Sequence, residues 1–215
     1  MEPSASDAGS TGNEQVRPQS EDSALRANFY GLLARGLSRP LDDEALEVMR
    51  GLATHNDPTP LGEAITAFGK LCQRTPRAKA EEEFTDLFYG FGAGGELTPY
   101  ASYYLTGLVY DKPLAELRSD MARLGVEPTG DTGEPEDHIA SLCDIMHGLL
   151  IGTLGPGGAS GAAEAKTFFD KHLAPWAGKF FADLERAPSA ALYMPLGTVG
   201  RLFMEIEREA FAMAA

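Results

Sequence analysis

Glu134-Pro135-Glu136-Asp137-His138, running straight into Ile139-Ala140-Ser141-Leu142-Cys143-Asp144-Ile145-Met146-His147-Gly148-Leu149-Leu150, is the stretch on which the fold of this 215-residue chain turns. Apolar side chains at Ile139, Leu142, Cys143, Met146, Leu149 and Leu150 follow the i, i+3, i+4, i+7 spacing of a buried helical stripe. Proline suits a first helical position, because its missing N–H would be unpaired there and its φ is already helical. The pattern therefore predicts a helix opening at Glu134-Pro135, with its acids at the positive end of the dipole and Asp137 and Asp144 on its polar side. Helix stability alone accounts for such acids, at roughly 0.3–1 kcal/mol each. It does not account for His138, since a cationic ring is unfavourable at a helix N-terminus and a neutral one needs a partner.

The same period extends in both directions. A first helix is predicted from near Ser23 to Leu37, with Leu25, Phe29, Leu32, Leu33 and Leu37 on one side. Asp42 caps a second carrying Leu46, Met49 and Leu52, and Thr59-Pro60 opens a third with Ile65, Phe68, Leu71 and Cys72. Thr75-Pro76 opens a fourth, in which Ala80, Phe84, Leu87 and Phe88 share a face. Further helices are predicted over 112–124, from Glu134, through Phe168 to Leu173 where Pro175 interrupts, and over Trp176 to Leu184. The last begins near Ser189 and carries Leu192, Leu196, Val199, Phe203 and Ile206, with a kink at Pro195. No strand alternation and no fixed-period repeat occurs, so the fold class is all-α: a single globular bundle of about nine helices over residues 22–215. Residues 1–21 are rich in Ser, Gly, Glu and Pro and are expected to form a disordered tail. The glycine-rich stretches Gly90–Gly95 and Gly152–Gly161 are expected to be mobile connectors.

Composition excludes several functions. The chain has 18 Lys and Arg against 32 Asp and Glu, a net charge of −14, and no cluster of basic residues, so nucleic acid is not an expected partner. Residues 1–22 supply only five of the acids, so the body is acidic too and suits a basic ligand, although acidity also serves solubility. No run of about 18 apolar residues predicts a membrane span, and Glu2–Ser20 has no apolar core behind a basic head, which argues against a secretory signal and for a cytoplasmic chain. Cys72 and Cys143 lie at apolar helical positions and are expected as buried, reduced thiols.

No catalytic constellation emerges, and no catalytic residue, metal ligand or cofactor is assigned. Asp144-Ile145-Met146-His147 is a D-x-x-H pair of a spacing that can hold a metal in a helical core, yet only one copy exists. Gly161-Ala162-Ala163-Glu164-Ala165-Lys166-Thr167 bears a superficial likeness to a Walker loop but lacks the second glycine, the spacing and the preceding strand. A small helical metalloenzyme stays open as an alternative from another class.

Read together, Glu83-Phe84-Thr85-Asp86-Leu87-Phe88, Pro99-Tyr100-Ala101-Ser102-Tyr103-Tyr104, Glu134-Pro135-Glu136-Asp137-His138 and His172-Leu173-Ala174-Pro175-Trp176 resemble, in motif order from about Leu25 to the C-terminus, the TorD/DmsD family of molybdoenzyme maturation chaperones. The resemblance implies a non-catalytic cytoplasmic chaperone. It would bind the twin-arginine leader and the apo-form of a molybdenum-cofactor oxidoreductase, and hold it until cofactor insertion and folding are complete. An assembly chaperone for a retained nitrate-reductase-type subunit is the alternative within the same class. Guanine-nucleotide binding, proposed within the family, has no support in the residues. A monomer and a domain-swapped dimer both fit.

The resemblance also places a leader-binding groove. Phe84, Leu87, Phe88, Pro99 and Tyr100 match positions on its presumed apolar wall, and Glu134, Pro135, Asp137 and His138 match its polar end. The spacing of Phe84, Leu87 and Phe88 is equally that of ordinary core residues, and Tyr100, Tyr103 and Tyr104 could face core or ligand. Trp176 after Pro175 is expected as a structural plug. The chain departs from the family at Ala101, where an acid often follows the proline-aromatic pair.

Overall fold

The computed structural model of the chain describes residues 21–90, 94–127, 134–155 and 161–213. Among the described residues are ten α-helices and one 3₁₀ turn, Gly51–Thr54, with no strand. In chain order these are α1 Glu21–Leu37, α2 Asp43–Arg50, α3 Pro60–Arg74, α4 Arg77–Phe88, α5 Ala101–Thr106, α6 Lys112–Arg123, α7 Ile139–Ile151, α8 Gly161–His172, α9 Ala177–Arg186 and α10 Tyr193–Met213. No helix among them is long and apolar enough to cross a membrane. The expected tail lies outside the described residues except for Glu21, which opens α1, and so do parts of both glycine-rich connectors.

The helix starts have local causes. The Asp42 carboxylate accepts the Ala45 N–H at 2.9 Å, and the Thr59 hydroxyl accepts the Gly62 N–H at 3.1 Å with Pro60 as the first residue of α3. Each such cap stabilises by roughly 1 kcal/mol. α10 is capped from elsewhere. The Glu83 carboxylate on α4 accepts N–H groups from Ala191 at 2.8 Å, Leu192 at 3.0 Å and Tyr193 at 2.8 Å. This remote cap delays the helix to Tyr193 rather than the Ser189 expected from periodicity, and it places Pro195 in the first turn, where its absent N–H costs nothing. The expected kink at Pro195 is therefore replaced by a helix start.

One continuous apolar core runs through the bundle. α1 lies along α7, while α10 packs on α9 and α3. Trp176 is buried and its indole N–H donates to the His172 carbonyl at 2.7 Å, so it does plug the core. The α9–α10 approach is close because Gly200 has no side chain: a Cβ there would stand 2.1 Å from the Phe181 ring. At the other side of α10 the buried Glu207 carboxylate accepts from Arg26 at 2.6 and 2.8 Å and from the Tyr30 hydroxyl at 2.9 Å. These bonds fix the register of α1 against α10 more than they add stability, because desolvation offsets much of a buried pair. Cys72 and Cys143 are free and buried, and burial pushes the Cys72 thiol up to about 12.

The short α5 has no counterpart among the nine helices expected from periodicity. Six residues are too few to display a helical period, and its start is secured from a distant segment described below.

Replacing Glu83 by Ala leaves three N–H groups at the start of α10 without their charged acceptor and should cost about 2 kcal/mol. Urea unfolding measures the loss, and hydrogen exchange should localise it to residues 191–196.

Candidate functional site

Two extended segments of backbone join what the sequence keeps apart. Tyr100 and His138 form an isolated antiparallel bridge, in which the Ala101 N–H donates to the Asp137 carbonyl at 3.0 Å and the Ile139 N–H to the Pro99 carbonyl at 2.9 Å. The Leu97 N–H donates to the Leu87 carbonyl at 2.8 Å, tying the same segment to the end of α4. The motifs around residues 83–88, 99–104 and 134–138 thus meet.

The bridge corrects the expected start of the central helix. α7 begins at Ile139, and residues 134–137 precede it in turns. Ile139 N–H is taken by Pro99, and the His138 ring, as the cap, accepts the Ala140 N–H at Nδ1 at 3.1 Å. An accepting Nδ1 carries no proton, and burial pulls the His138 imidazole down to about 4 despite nearby Glu134 and Asp137. The objection to a cationic ring at a helix N-terminus is met by neutrality.

Asp137 also departs from expectation. It is fully buried, and its Oδ2 accepts the Ser102 N–H in the first turn of α5 at 2.7 Å. It is a cap for α5 and not an exposed acid on the polar side of a helix. Its Oδ1 and the Ser102 hydroxyl have no hydrogen-bond partner among the described residues. Ala101, the position at which the sequence departs from the resemblance, is buried beside this contact.

The other anticipated residues divide by exposure. Phe84 and Leu87 belong to the core, and Pro99 and Pro135 are buried. Phe88 is half-buried, with its ring centroid 4.8 Å from Phe84 and 6.1 Å from Tyr193. Tyr100 and Glu134 reach solvent in part. The Tyr100 hydroxyl donates to Glu134 Oε2, and burial, then Glu134, raises its phenol well above the ordinary range. Its ring meets His138 edge-on at 5.3 Å. Tyr104 points inward, against Trp176 and onto Asp183 at 3.1 Å, whereas Tyr103 is exposed.

Glu134 and His138 line a cavity of about 370 Å³ between α1 and the start of α7, together with Arg35, Ser38, Ser141 and Asp144. Arg35 is held by Asp42 at 2.6 Å, which leaves Glu134 and Asp144 as carboxylates facing the space. His147 does not join Asp144, because its Nδ1 donates to the Ala27 carbonyl on α1 at 2.8 Å. Among the described residues no three of His, Cys, Asp and Glu group as metal ligands.

Sequence reasoning missed the neighbouring apolar ridge. Leu105 in the last turn of α5 and Val109 just after it are 43% exposed, and Leu108 and Tyr110 are 65% exposed, with Tyr89 nearby. Gly107 ends α5 in the left-handed conformation, and Tyr110 adopts φ 60°, which costs a non-glycine residue roughly 1–2 kcal/mol. Such display at such strain is unusual for residues without a partner. The signal was present in Tyr103-Tyr104-Leu105-Thr106-Gly107-Leu108-Val109-Tyr110, eight residues with no charge.

A second titratable cluster lies between α6 and α8, where the buried Asp120 carboxylate accepts from His172 Nε2 at 2.7 Å and Lys171 at 2.6 Å and also pairs with Arg123. Burial, reinforced by Lys171, draws His172 down to about 4, so the ring donates to Asp120 as the neutral form. The glycine-led stretch from Gly161 is simply the start of α8.

Asp137→Ala removes the only acceptor of a buried N–H and should destabilise by about 1–3 kcal/mol, with hydrogen-exchange protection lost first over residues 102–106. Asp137→Asn keeps a carbonyl for Ser102 and should remain close to wild type in urea unfolding. His138 and His172 both fall from 6.5 to about 4 on folding, so below pH 6.5 the unfolded chain takes up protons that the folded chain refuses. The melting temperature should accordingly drop as pH falls from 6.5 towards 4, and in His172→Asn that part of the drop should shrink.

The description nitrate reductase delta subunit belongs to the family model that matches residues 54–182. Among curated proteins, the chaperone protein TorD of Vibrio atlanticus is 27% identical over 204 residues, covering 87% of this chain and 94% of the relative. That of Aliivibrio fischeri is 32% identical over 141 residues, covering 60% of this chain and 65% of the relative. Among solved structures, a redox enzyme maturation protein from Archaeoglobus fulgidus matches with a TM-score of 0.60 at 21% identity, over 84% of this chain and 94% of that one, and so shares the fold. The curated relatives are named as chaperones. It belongs to the nitrate reductase delta subunit family, in which the TorD-type maturation chaperones are found.

Proposed function

We propose that this chain is a cytoplasmic chaperone for a molybdenum-cofactor oxidoreductase, and that it holds the twin-arginine leader of the apo-enzyme until cofactor insertion and folding are complete. The observation that carries the reading is the placement of Glu134, at a polar cavity it shares with Asp144, beside the exposed apolar ridge of Leu105, Leu108, Val109 and Tyr110. Tyr100 links the two, bonding Glu134 on one side and lying within electrostatic reach of Tyr110 on the other.

A leader with adjacent arginines followed by a moderately apolar stretch matches that pairing in kind and in order. Guanidinium groups would dock on Glu134 and Asp144, where planar, charge-assisted contacts contribute roughly 1.5–3 kcal/mol when partly desolvated. The apolar stretch would cover the ridge. Of the anticipated residues, Tyr100 and Glu134, which reach solvent, would touch the leader directly. Phe84, Leu87, Phe88, Pro99, Pro135, Asp137 and His138 hold the shape of the wall.

The family description favours a second reading, an assembly chaperone for a nitrate-reductase-type subunit that is not exported. Calorimetry with a synthetic leader separates the two. Glu134→Gln should weaken binding about tenfold, equivalent to about 1.4 kcal/mol, with melting unchanged. Replacing both arginines of the peptide by glutamine should cost at least as much, and more at low salt than at high. A leader that binds equally with or without its arginines, and equally to wild type and Glu134→Gln, would remove the export-tag reading and favour the second.

A further inference from the structure

A second groove shares helix α1 with the leader site but none of its lining residues. Where the first turns of α1 pass the start of α3 and the C-terminal half of α10, a cavity of about 480 Å³ opens to solvent. Its floor is a seam between two helices, closed by the stacking of Phe29 on Phe203 with ring centroids 5.0 Å apart. Leu25 and Ile206 stand over that floor, 57% and 46% exposed.

The rim is acidic. Asp57, Glu205 and Glu209 line the groove, and the one cation among the described residues lining it is already engaged: Arg26 bonds the buried Glu207 and lies 4.3 Å over the Phe211 ring. Glu205 reaches Arg201 at 3.2 Å. Asp57 and Glu209 have no ion-pair partner among the described residues.

From this apolar floor and negative rim we infer that the groove docks an amphipathic α-helix of a partner protein, with aliphatic residues at i, i+3 or i+4 and i+7 and with Lys or Arg flanking that stripe. A seam between two helices accepts a third helix by ridge-into-groove packing, and each basic flank would meet an acid. The chain's own first 20 residues do not suit the place, since Met1 and Val16 are their only large apolar side chains and their acids outnumber Arg17 three to one. A second copy would bring like charge to like charge. The inference stands independently of the leader site, with which the groove shares no residue.

Fluorescence anisotropy on the full-length protein, with labelled synthetic helices about four turns long, tests it. A Leu-striped, Lys-flanked peptide should bind in about 0.15 M salt, while a scramble of identical composition should bind about tenfold more weakly and a Glu-flanked version not detectably. Leu25→Ser with Ile206→Ser should weaken the striped peptide about tenfold and leave melting unchanged, since both side chains are exposed. Asp57→Asn with Glu209→Gln should weaken it and flatten its salt dependence, and Glu134→Gln should change nothing, so that this site and the leader site can fail separately. Equal binding of striped and scrambled peptides, or full affinity in the Leu25→Ser, Ile206→Ser variant, would overturn the proposal. So would binding that emerges only after residues 1–20 are removed, which would make the tail the occupant, or a dimer that the serine variant dissolves, which would make it a second copy.

Discussion

Two backbone hydrogen bonds, from Ala101 to Asp137 and from Ile139 to Pro99, are the constraint on which the candidate site depends. They lock the approach to α5 against the approach to α7, and so decide where both helices begin. With those N–H groups committed, Asp137 can turn inward to Ser102 and His138 can cap its own helix. Glu134 is left at the edge, where Tyr100 reaches it. Pulling this crossing apart would unmake the cavity, the phenol–carboxylate contact and the start of the apolar ridge together.

The bundle was readable from periodicity wherever a helix was long enough to repeat. The stripes of α7 and α9 are buried as their spacing requires, and so is most of that of α3, because apolar faces of several turns have a core in which to go, whereas in α1 Leu33 and Leu37 are buried but Leu25 stands out in solvent. What periodicity could not supply were contacts between residues distant in the chain. Glu83, seen only as part of a motif, caps a helix more than a hundred residues later. Asp137, seen as a first-turn acid, belongs to another helix altogether. His138 was rightly singled out as unexplained by helix electrostatics, yet the resolution, a neutral cap under a tyrosine ring, needs the Pro99 segment that crosses it. The ridge at 105–110 escaped because an uncharged run in a loop carries no periodic signal about which way its side chains face.

The acids of this protein perform different tasks that composition merges into one number. Glu83, Asp137 and Glu207 are inward ties between elements, each accepting hydrogen bonds from a partner far along the chain. Asp120 gathers three cationic or donating side chains at α6 and α8. Many other acids face open space, and among these Glu134 and Asp144 line one cavity while Asp57, Glu205 and Glu209 line another along the α1–α10 seam. Acidity as a whole therefore says little about ligands, while its residue at the surface, once the structural carboxylates are set aside, says a good deal.

Leucines and a strained tyrosine held out in water also bear on how the protein behaves in crowded solution. A ridge of that kind is attractive to any oily surface, including the same ridge on another molecule. The net charge of −14 acts against such encounters at longer range than apolar attraction does, so colloidal repulsion stands guard over a face kept bare. High ionic strength, which shortens that repulsion to a few ångströms, is then the condition under which this chain becomes its own most abundant wrong partner.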